Sequence, residues 1–184
     1  MDTKPPPPPF PKNLRELFHQ MKGGGTAAHP FVQFVKYGIS GGAATAVDIA
    51  VSFLCACFVF QALGAGDLFV KLFELIGVNV PTVDISDALR ANRQTANNLI
   101  AFLFSNTFCY VINVLWVFQP GKHKRSVEFA LFFAASGISS GCGILISYLL
   151  VYFAGMQTSI SVLIKIIASV MINYVARKKI VFNG

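Results

Sequence analysis

The sequence predicts an all-α integral membrane protein of four transmembrane helices, arranged as two repeated helical hairpins with both termini cytoplasmic. Three observations predict it. Of the 184 residues, 54% are hydrophobic and only 12% are charged, whereas about 25% charge is usual in a soluble domain. The apolar residues gather into blocks at about 34–60, 99–118, 129–153 and 160–176, lengths that suit a hydrocarbon layer of about 30 Å at about 1.5 Å per helical residue. The second half also partly repeats the first. One compact domain accounts for the length, and no separate soluble catalytic domain fits beside the spans.

Residues 1–11 carry the proline run Pro5–Pro9, which favours an extended chain with no apolar periodicity to bury and predicts a disordered tail. Leu14, Leu17, Phe18 and Met21 then recur at helical spacing among Arg15, Glu16, His19 and Lys22. Residues 12–25 therefore read as an amphipathic interfacial helix with a hinge at Gly23–Gly25, suited to an anionic membrane surface or a partner protein. No small-residue cleavage pattern marks a signal peptide, so the first apolar run is expected to remain as helix one. Its Gly38, Gly41, Gly42, Ala43 and Ala44 allow a neighbouring helix to approach closely. The connection 61–98 is the external insertion. Phe69, Leu72, Phe73 and Ile76 within it have helical spacing and predict a short interfacial helix ended by Gly77 and Pro81, while Ser86 or Asp84 can cap a stretch that runs into helix two. Helix two, Leu99 to Phe118, has Trp116 near its end, where indoles favour the interface. Helix three has the small residues Ser136, Gly137, Ser139, Ser140, Gly141 and Gly143. A turn near Gly155 leads to helix four, closed by Arg177, Lys178 and Lys179.

The formal charge of +7 is read here as topology and not as nucleic-acid binding. Eleven Lys and Arg residues lie before helix one, after helix two and after helix four, against Lys71, Arg90 and Arg93 on the other side. An excess of Lys and Arg marks cytoplasmic loops. The protein is thus expected in the cytoplasmic (inner) membrane as a multi-pass protein. Cys55, Cys57, Cys109 and Cys142 all fall inside apolar blocks, where they act as small hydrophobes. The histidines lack ligand-spaced companions, and no glycine-rich nucleotide loop follows a strand. No metal, no cofactor and no enzymatic activity is expected.

The repeat has two registers. Shifted by 64 residues, helix two falls on helix four with identities at Leu99, Ile100, Ser105, Tyr110, Val111, Val117 and Phe118. Shifted by 95, helix one falls on helix three with matches at Phe34, Gly42, Ile49, Ser52, Leu54 and Phe58. Two-span copies share an orientation, so the expected symmetry is a pseudo-twofold along the membrane normal. At equivalent positions the copies differ in charge: Asp48 falls on Gly143, and Ala101 on Lys165.

Two short hairpins, the run FVKYGISGG followed by Asp48, and hairpin ends of the form aromatic, several residues, W/I-V-F resemble the GtrA-like family over residues 31–183. The resemblance implies a role in cell-surface polysaccharide and lipid-linked sugar pathways, where members are proposed to flip polyprenyl-phosphate sugars or to anchor and assist glycosyltransferases. The chain departs from the family where Val114 and Leu115 follow Asn113 in place of basic residues. Only the second copy, with Arg177, Lys178 and Lys179, keeps a basic end.

Asp48 is the one charge between Tyr37 and Phe60, and Lys165 the one between Ile160 and Ala176. A carboxylate at a span's centre costs about 2.5–3.5 kcal/mol on insertion scales. Asp48 stands 12 residues after Lys36 and Lys165 stands 12 before Arg177, so each lies about 18 Å from a basic end. The expectation is an ion pair between helices one and four beside a polar cavity that a phosphate enters by competing for Lys165. The alternatives are a structural staple, or Lys165 reaching outward to the interface. Asn106, Asn113 and Asn173 line that cavity or bond between helices. Lys122, Lys124, Arg125, Arg177, Lys178 and Lys179 receive lipid phosphate, or only fix topology and attract anionic lipids. Arg90 and Arg93 are read as solvated loop charge.

Three functions follow. The first is binding and translocation of a polyprenyl-phosphate-linked sugar for polysaccharide or glycan assembly. The second is a noncatalytic anchor or regulator of a glycosyltransferase that docks on residues 12–22. The third is a small cation or drug transporter with Asp48 as coupling carboxylate. Membrane lipids are partners in each, and four short helices also allow a homodimer.

Overall fold

The computed structural model describes residues 8–23, 28–117 and 124–181, with side chains as far as 172. The chain forms α1 (Leu14–Lys22), α2 (Pro30–Phe58), α3 (Leu68–Leu75), α4 (Asp87–Ile112) continued by a π-helical turn (Asn113–Val117), α5 (Arg125–Ala154) and α6 (Thr158–Val181). Among the described residues there are no strands. Pro30–Phe58, Asp87–Val117 and Arg125–Ala154 are long and apolar enough to cross a membrane, and Thr158–Ile172 is a shorter apolar helix. Of the expected disordered tail, residues 1–7 lie outside the described residues, as do residues 24–27, which include Gly24 and Gly25 of the hinge.

The bundle is built from α2 packed on α4 and α5 packed on α6, with α4 against α5 joining the two hairpins. The inward faces are polar or small. On α2 the buried positions Val32, Lys36, Ser40, Ala44, Asp48, Ser52 and Ala56 fall four apart, along the ridge by which helices interlock. That ridge winds around α2, so its start meets α1 and the π turn, its middle meets α4 and α6, and its end meets the connection that follows α2. On α5 the sequence Ser139, Gly143, Ser147 and Val151 repeats the same step. Large apolar side chains such as Leu54, Phe104, Leu145 and Ile167 point outward, as a lipid-facing surface requires.

Glycine does not act where the sequence placed it. A Cβ added at Gly38, Gly41 or Gly42 would meet nothing within 4 Å, whereas one at Gly143 would come within 2.7 Å of the Lys165 carbonyl oxygen. The close approach is between α5 and α6, because the ridge on α2 uses Ser40 and Ala44 in place of the neighbouring glycines.

The second span begins at Asp87, well before the uncharged block at Leu99. Ser86 caps it by accepting from Leu89 N–H at 3.4 Å. The first turns are held by contacts of their charged residues. Arg90 Nη2 donates to the Gly155 carbonyl at 3.0 Å and pairs with Asp87, and Arg93 Nη1 donates to the Gln61 carbonyl at 3.0 Å. Asn97 Nδ2 reaches the Phe60 carbonyl at 2.8 Å. Cationic and amide donors thus close the carbonyl ends of α2 and α5, where the helix dipole is negative. Gly155 itself, at φ 59°, takes the left-handed conformation that ends α5.

The connection between α2 and α4 is folded. Ala56, Cys57, Ala62, Leu63 and Val70 form a small apolar core, with Phe53 packed against it and stacked on Phe73 at 4.8 Å. Asp67, 2% exposed, caps two helices at once: it accepts from Phe69 N–H of α3 at 3.1 Å and from Ser159 N–H of α6 at 3.0 Å, with the Ser159 hydroxyl also donating to it.

Candidate functional site: a buried ion pair under an intramembrane cavity

Asp48 and Lys165 lie inside α2 and α6, toward the end of the first and the start of the second, and the two side chains meet. Lys165 Nζ lies 2.5 Å from Asp48 Oδ2, and the residues are 9% and 4% exposed. Lys165 therefore does not reach out to the interface. The other Asp48 oxygen accepts from Ser105 Oγ at 3.3 Å. Lys165 also donates to Asn98 Oδ1 at 3.1 Å. Each charge is met by the opposite charge and by a neutral hydrogen-bonding group, the arrangement that a low-dielectric interior demands.

The pair grows out of the repeat. Ser105 and Ser169 are equivalent, as are Asp48 and Gly143. Ser105 bonds Asp48 in the first hairpin, and in the second the Ser169 hydroxyl occupies the space that a side chain at Gly143 would fill, with Lys165 Cγ at 3.3 Å from that point. Absence of a side chain at 143 thus leaves room for Lys165 to lie against α5 and cross to α2. The equivalent serines Ser52 and Ser147 flank Asn98: Ser52 Oγ donates to Asn98 Oδ1 and Asn98 Nδ2 donates to Ser147 Oγ, both at 3.4 Å. Gln94 Nε2 adds a contact to Asn98 Oδ1 at 3.3 Å.

A cavity of about 720 Å³ lies above the pair, between α2, α4, α5 and α6. Its lining runs over Tyr37–Asp48 of α2, Phe102–Cys109 of α4, Phe132–Ile144 of α5 and Lys165–Ile172 of α6. It therefore lies in the half of the bundle that holds the starts of α2 and α5. Asp48 and Lys165 are its deepest charged residues. Beyond them the Ser52–Gln94–Asn98–Ser147 network fills the space between the hairpins.

The remaining candidates divide. Asn106 lines the cavity, accepts from Ser136 Oγ at 2.8 Å, and keeps a buried amide nitrogen without a partner. Asn113 stands apart from the cavity lining, in the π turn, and donates to Cys109 Sγ at 3.4 Å. Arg125 is exposed and pairs with Glu128 at 3.6 Å, and Lys124 is exposed just before α5. Lys122 lies outside the described residues. Asn173, Arg177, Lys178 and Lys179 lie on α6 beyond the last described side chain.

Sequence reasoning missed Asn98 and Gln94, because they precede the uncharged block. Their helical spacing of four, continued at three and four by Ala101 and Ser105, is the available signal. It also took Lys36 for a surface marker. Lys36 is 1% exposed, donates to the Gly23 carbonyl at 2.6 Å and the Trp116 carbonyl at 3.4 Å, and sits 5.4 Å from the Trp116 ring centre. Trp116 Nε1 in turn donates to the Met21 carbonyl at 2.7 Å. The end of α1 is clipped to the bundle by these two residues.

An all-helical multi-pass membrane domain with a charged pair under an open cavity is the class that this geometry defines. The family model for the GtrA/DPMS transmembrane domain matches residues 36–182, and the chain belongs to that family. Membership links it with lipid-linked sugar biosynthesis. Neither the curated proteins nor the solved structures gave a match.

Proposed function

We propose that the protein binds a polyprenyl-phosphate-linked sugar and translocates it across the cytoplasmic membrane for polysaccharide or glycan assembly. The observation that carries this reading is the Asp48–Lys165 pair at the floor of the 720 Å³ cavity, a volume within the about 300–1,000 Å³ usual for small-molecule sites. A phosphate that enters competes with Asp48 for Lys165, and the ion pair provides a counter-charge whenever the site is empty. In this reading α6, 24 residues long and about 36 Å at helical rise, is the fourth span. Both termini and the half of the bundle that holds the cavity then face the cytoplasm, in keeping with the basic loops. The domain is non-catalytic: it moves its ligand and breaks no bond.

The test is translocation in vesicles holding the purified protein, with a fluorescent short-chain polyprenyl-phosphate hexose as probe. Wild-type protein is expected to expose the probe to a membrane-impermeant quencher, and the Asp48→Asn, Lys165→Met double variant to lose this. A double variant with full activity removes the reading.

A second reading, anchorage of a glycosyltransferase, is favoured by one observation. With the end of α1 clipped by Lys36 and Trp116, Leu14 and Phe18 remain 71% and 60% exposed, a fixed apolar face at the same end of the bundle. The cation-transporter reading is weakened by geometry, since Lys165 already neutralises Asp48.

A further inference from the structure

We propose that Asp48 is a proton-binding site, so that the cavity takes up one proton with each lipid-linked phosphate it binds. This rests on the phosphate reading above and concerns the carboxylate once a second anion has arrived. The empty site balances, with one ammonium 2.5 Å from one carboxylate. A phosphodiester adds a negative charge and brings no cation. Among the described residues nothing else supplies one. The titratable side chains that line the cavity are Tyr37, Asp48, Cys109 and Lys165. The other charges on the surrounding helices are engaged elsewhere. Lys36 of α2 bonds the Gly23 and Trp116 carbonyls. Arg90 and Arg93 of α4 bond the Gly155 and Gln61 carbonyls, with Asp87 paired to Arg90, and Arg125 of α5 pairs with Glu128. On α6, Lys165 is the one charge among the described side chains.

Two anions around one ammonium leave a net negative charge where the dielectric is low, and like charges in such a site resolve by protonation of one of them. A phosphodiester is by far the stronger acid, so the proton goes to Asp48. Ser105 fits both states of that carboxyl. Its hydroxyl has one proton, and two acceptors stand at 3.3 Å, Asp48 Oδ1 and the Phe102 carbonyl. While Asp48 is ionised, the Ser105 proton points to Oδ1. Once Oδ1 takes a proton delivered from bulk water, it donates to Ser105 Oγ, and the Ser105 proton turns to the Phe102 carbonyl. Hydrogen bonding at Oδ1 is kept in both states. The site is neutral when empty and neutral when loaded, so the anion enters the bilayer core without the cost of a net charge there.

The experiment counts protons by titration calorimetry of the full-length protein in nanodiscs near neutral pH, in two buffers of different ionisation enthalpy. The probes are farnesyl phosphodiesters whose second group is methyl, glucose, mannose or N-acetylglucosamine. Each keeps a single negative charge through the pH range, so the probe itself does not titrate. Wild type is expected to take up close to one proton per probe bound, and its affinity to fall as pH rises, by up to about tenfold per pH unit. Asp48→Asn is expected to lose both the uptake and the pH dependence. That variant leaves Lys165 buried without its anion and can fail to fold, so the infrared difference spectrum of wild type supplies an independent measurement. A protonated-carboxyl band is expected to appear on probe binding and to shift when the aspartates are isotopically labelled. If a probe binds with no proton uptake, if uptake persists in folded Asp48→Asn, or if no such band appears, the proton site is overturned while the phosphate reading stands. If wild type binds none of the probes, the phosphate reading falls and takes the proton site with it.

Discussion

The two hairpins are copies that differ where it matters. In the first, α2 carries Asp48 and α4 carries Ala101 at equivalent depths. In the second, α5 carries Gly143 and α6 carries Lys165. What the copies share is framework: Ser105 and Ser169 occupy like places beside positions 48 and 143, and Ser52 and Ser147 both bond Asn98. The charges are unshared, one on each copy, and meet between the copies. A duplicated fold thus supplies a symmetric scaffold, and substitution at equivalent positions turns its centre into an asymmetric site.

The strongest way to break that asymmetry is to remove one charge. Lys165→Met leaves Asp48 buried without its cation and is expected to destabilise by about 3–5 kcal/mol, the usual cost of orphaning one member of a buried pair. Adding Asp48→Asn should restore most of the loss, since replacing both members is often neutral. Thermal unfolding in detergent measures stability, and the vesicle assay measures function. A staple predicts that the double variant regains both; the proposed site predicts that it regains stability alone.

Asn98 ties the copies together and is the next target. Asn98→Leu removes an acceptor from Lys165, Gln94 and Ser52 and a donor from Ser147, for an expected loss of about 2–3 kcal/mol. Because the residue bonds both hairpins, its loss should make them unfold in separate steps. A single transition identical in shape to that of wild type would show that the hairpins are coupled through other contacts.

Gly143 tests the space that the second copy leaves for its lysine. Gly143→Ala places a methyl against Lys165 O and Ser169 Oγ and is expected to destabilise by about 1–2 kcal/mol from overpacking. Gly141→Ala, where a Cβ meets nothing within 4 Å, should instead stabilise by up to about 1 kcal/mol through helix propensity. Equal effects at the two positions would mean that the close approach at 143 does not set the position of Lys165.

The pair was legible in the sequence because an isolated charge stands out in an apolar block and helical rise converts its position into depth. Asn98 was not, because hydropathy draws the border of a span at its last charge. Here the helix continues through Arg90 and Arg93, which bond the carbonyl ends of other helices, and no one-dimensional pattern reveals that those carbonyls come near. Gly143 was visible as one small residue in a stripe of several. Only the packing of α6 distinguishes it from Gly137 and Gly141, which face open space.

Lys36 gives the smallest expected effect on the bundle and marks the difference between the two copies at their outer ends. By composition it belongs with the basic residues that flank helix one, and a lysine near a span's end usually extends its ammonium to the interface. In the fold its charge is turned inward, onto the Gly23 and Trp116 carbonyls at the ends of α1 and the π turn, where the dipoles of two helices favour a cation. Lys36→Met keeps the aliphatic stem and removes the donor, so the bundle should lose little stability while α1 loses one of its clips. Amide hydrogen exchange in residues 14–22 is expected to quicken by about tenfold or more, with exchange in α4 and α5 unchanged, since local opening follows local contacts. Trp116→Phe, which removes the bond to Met21, should have the same signature. Unchanged exchange in both variants would mean that the apolar residues of α1, and not these two donors, hold it to the bundle.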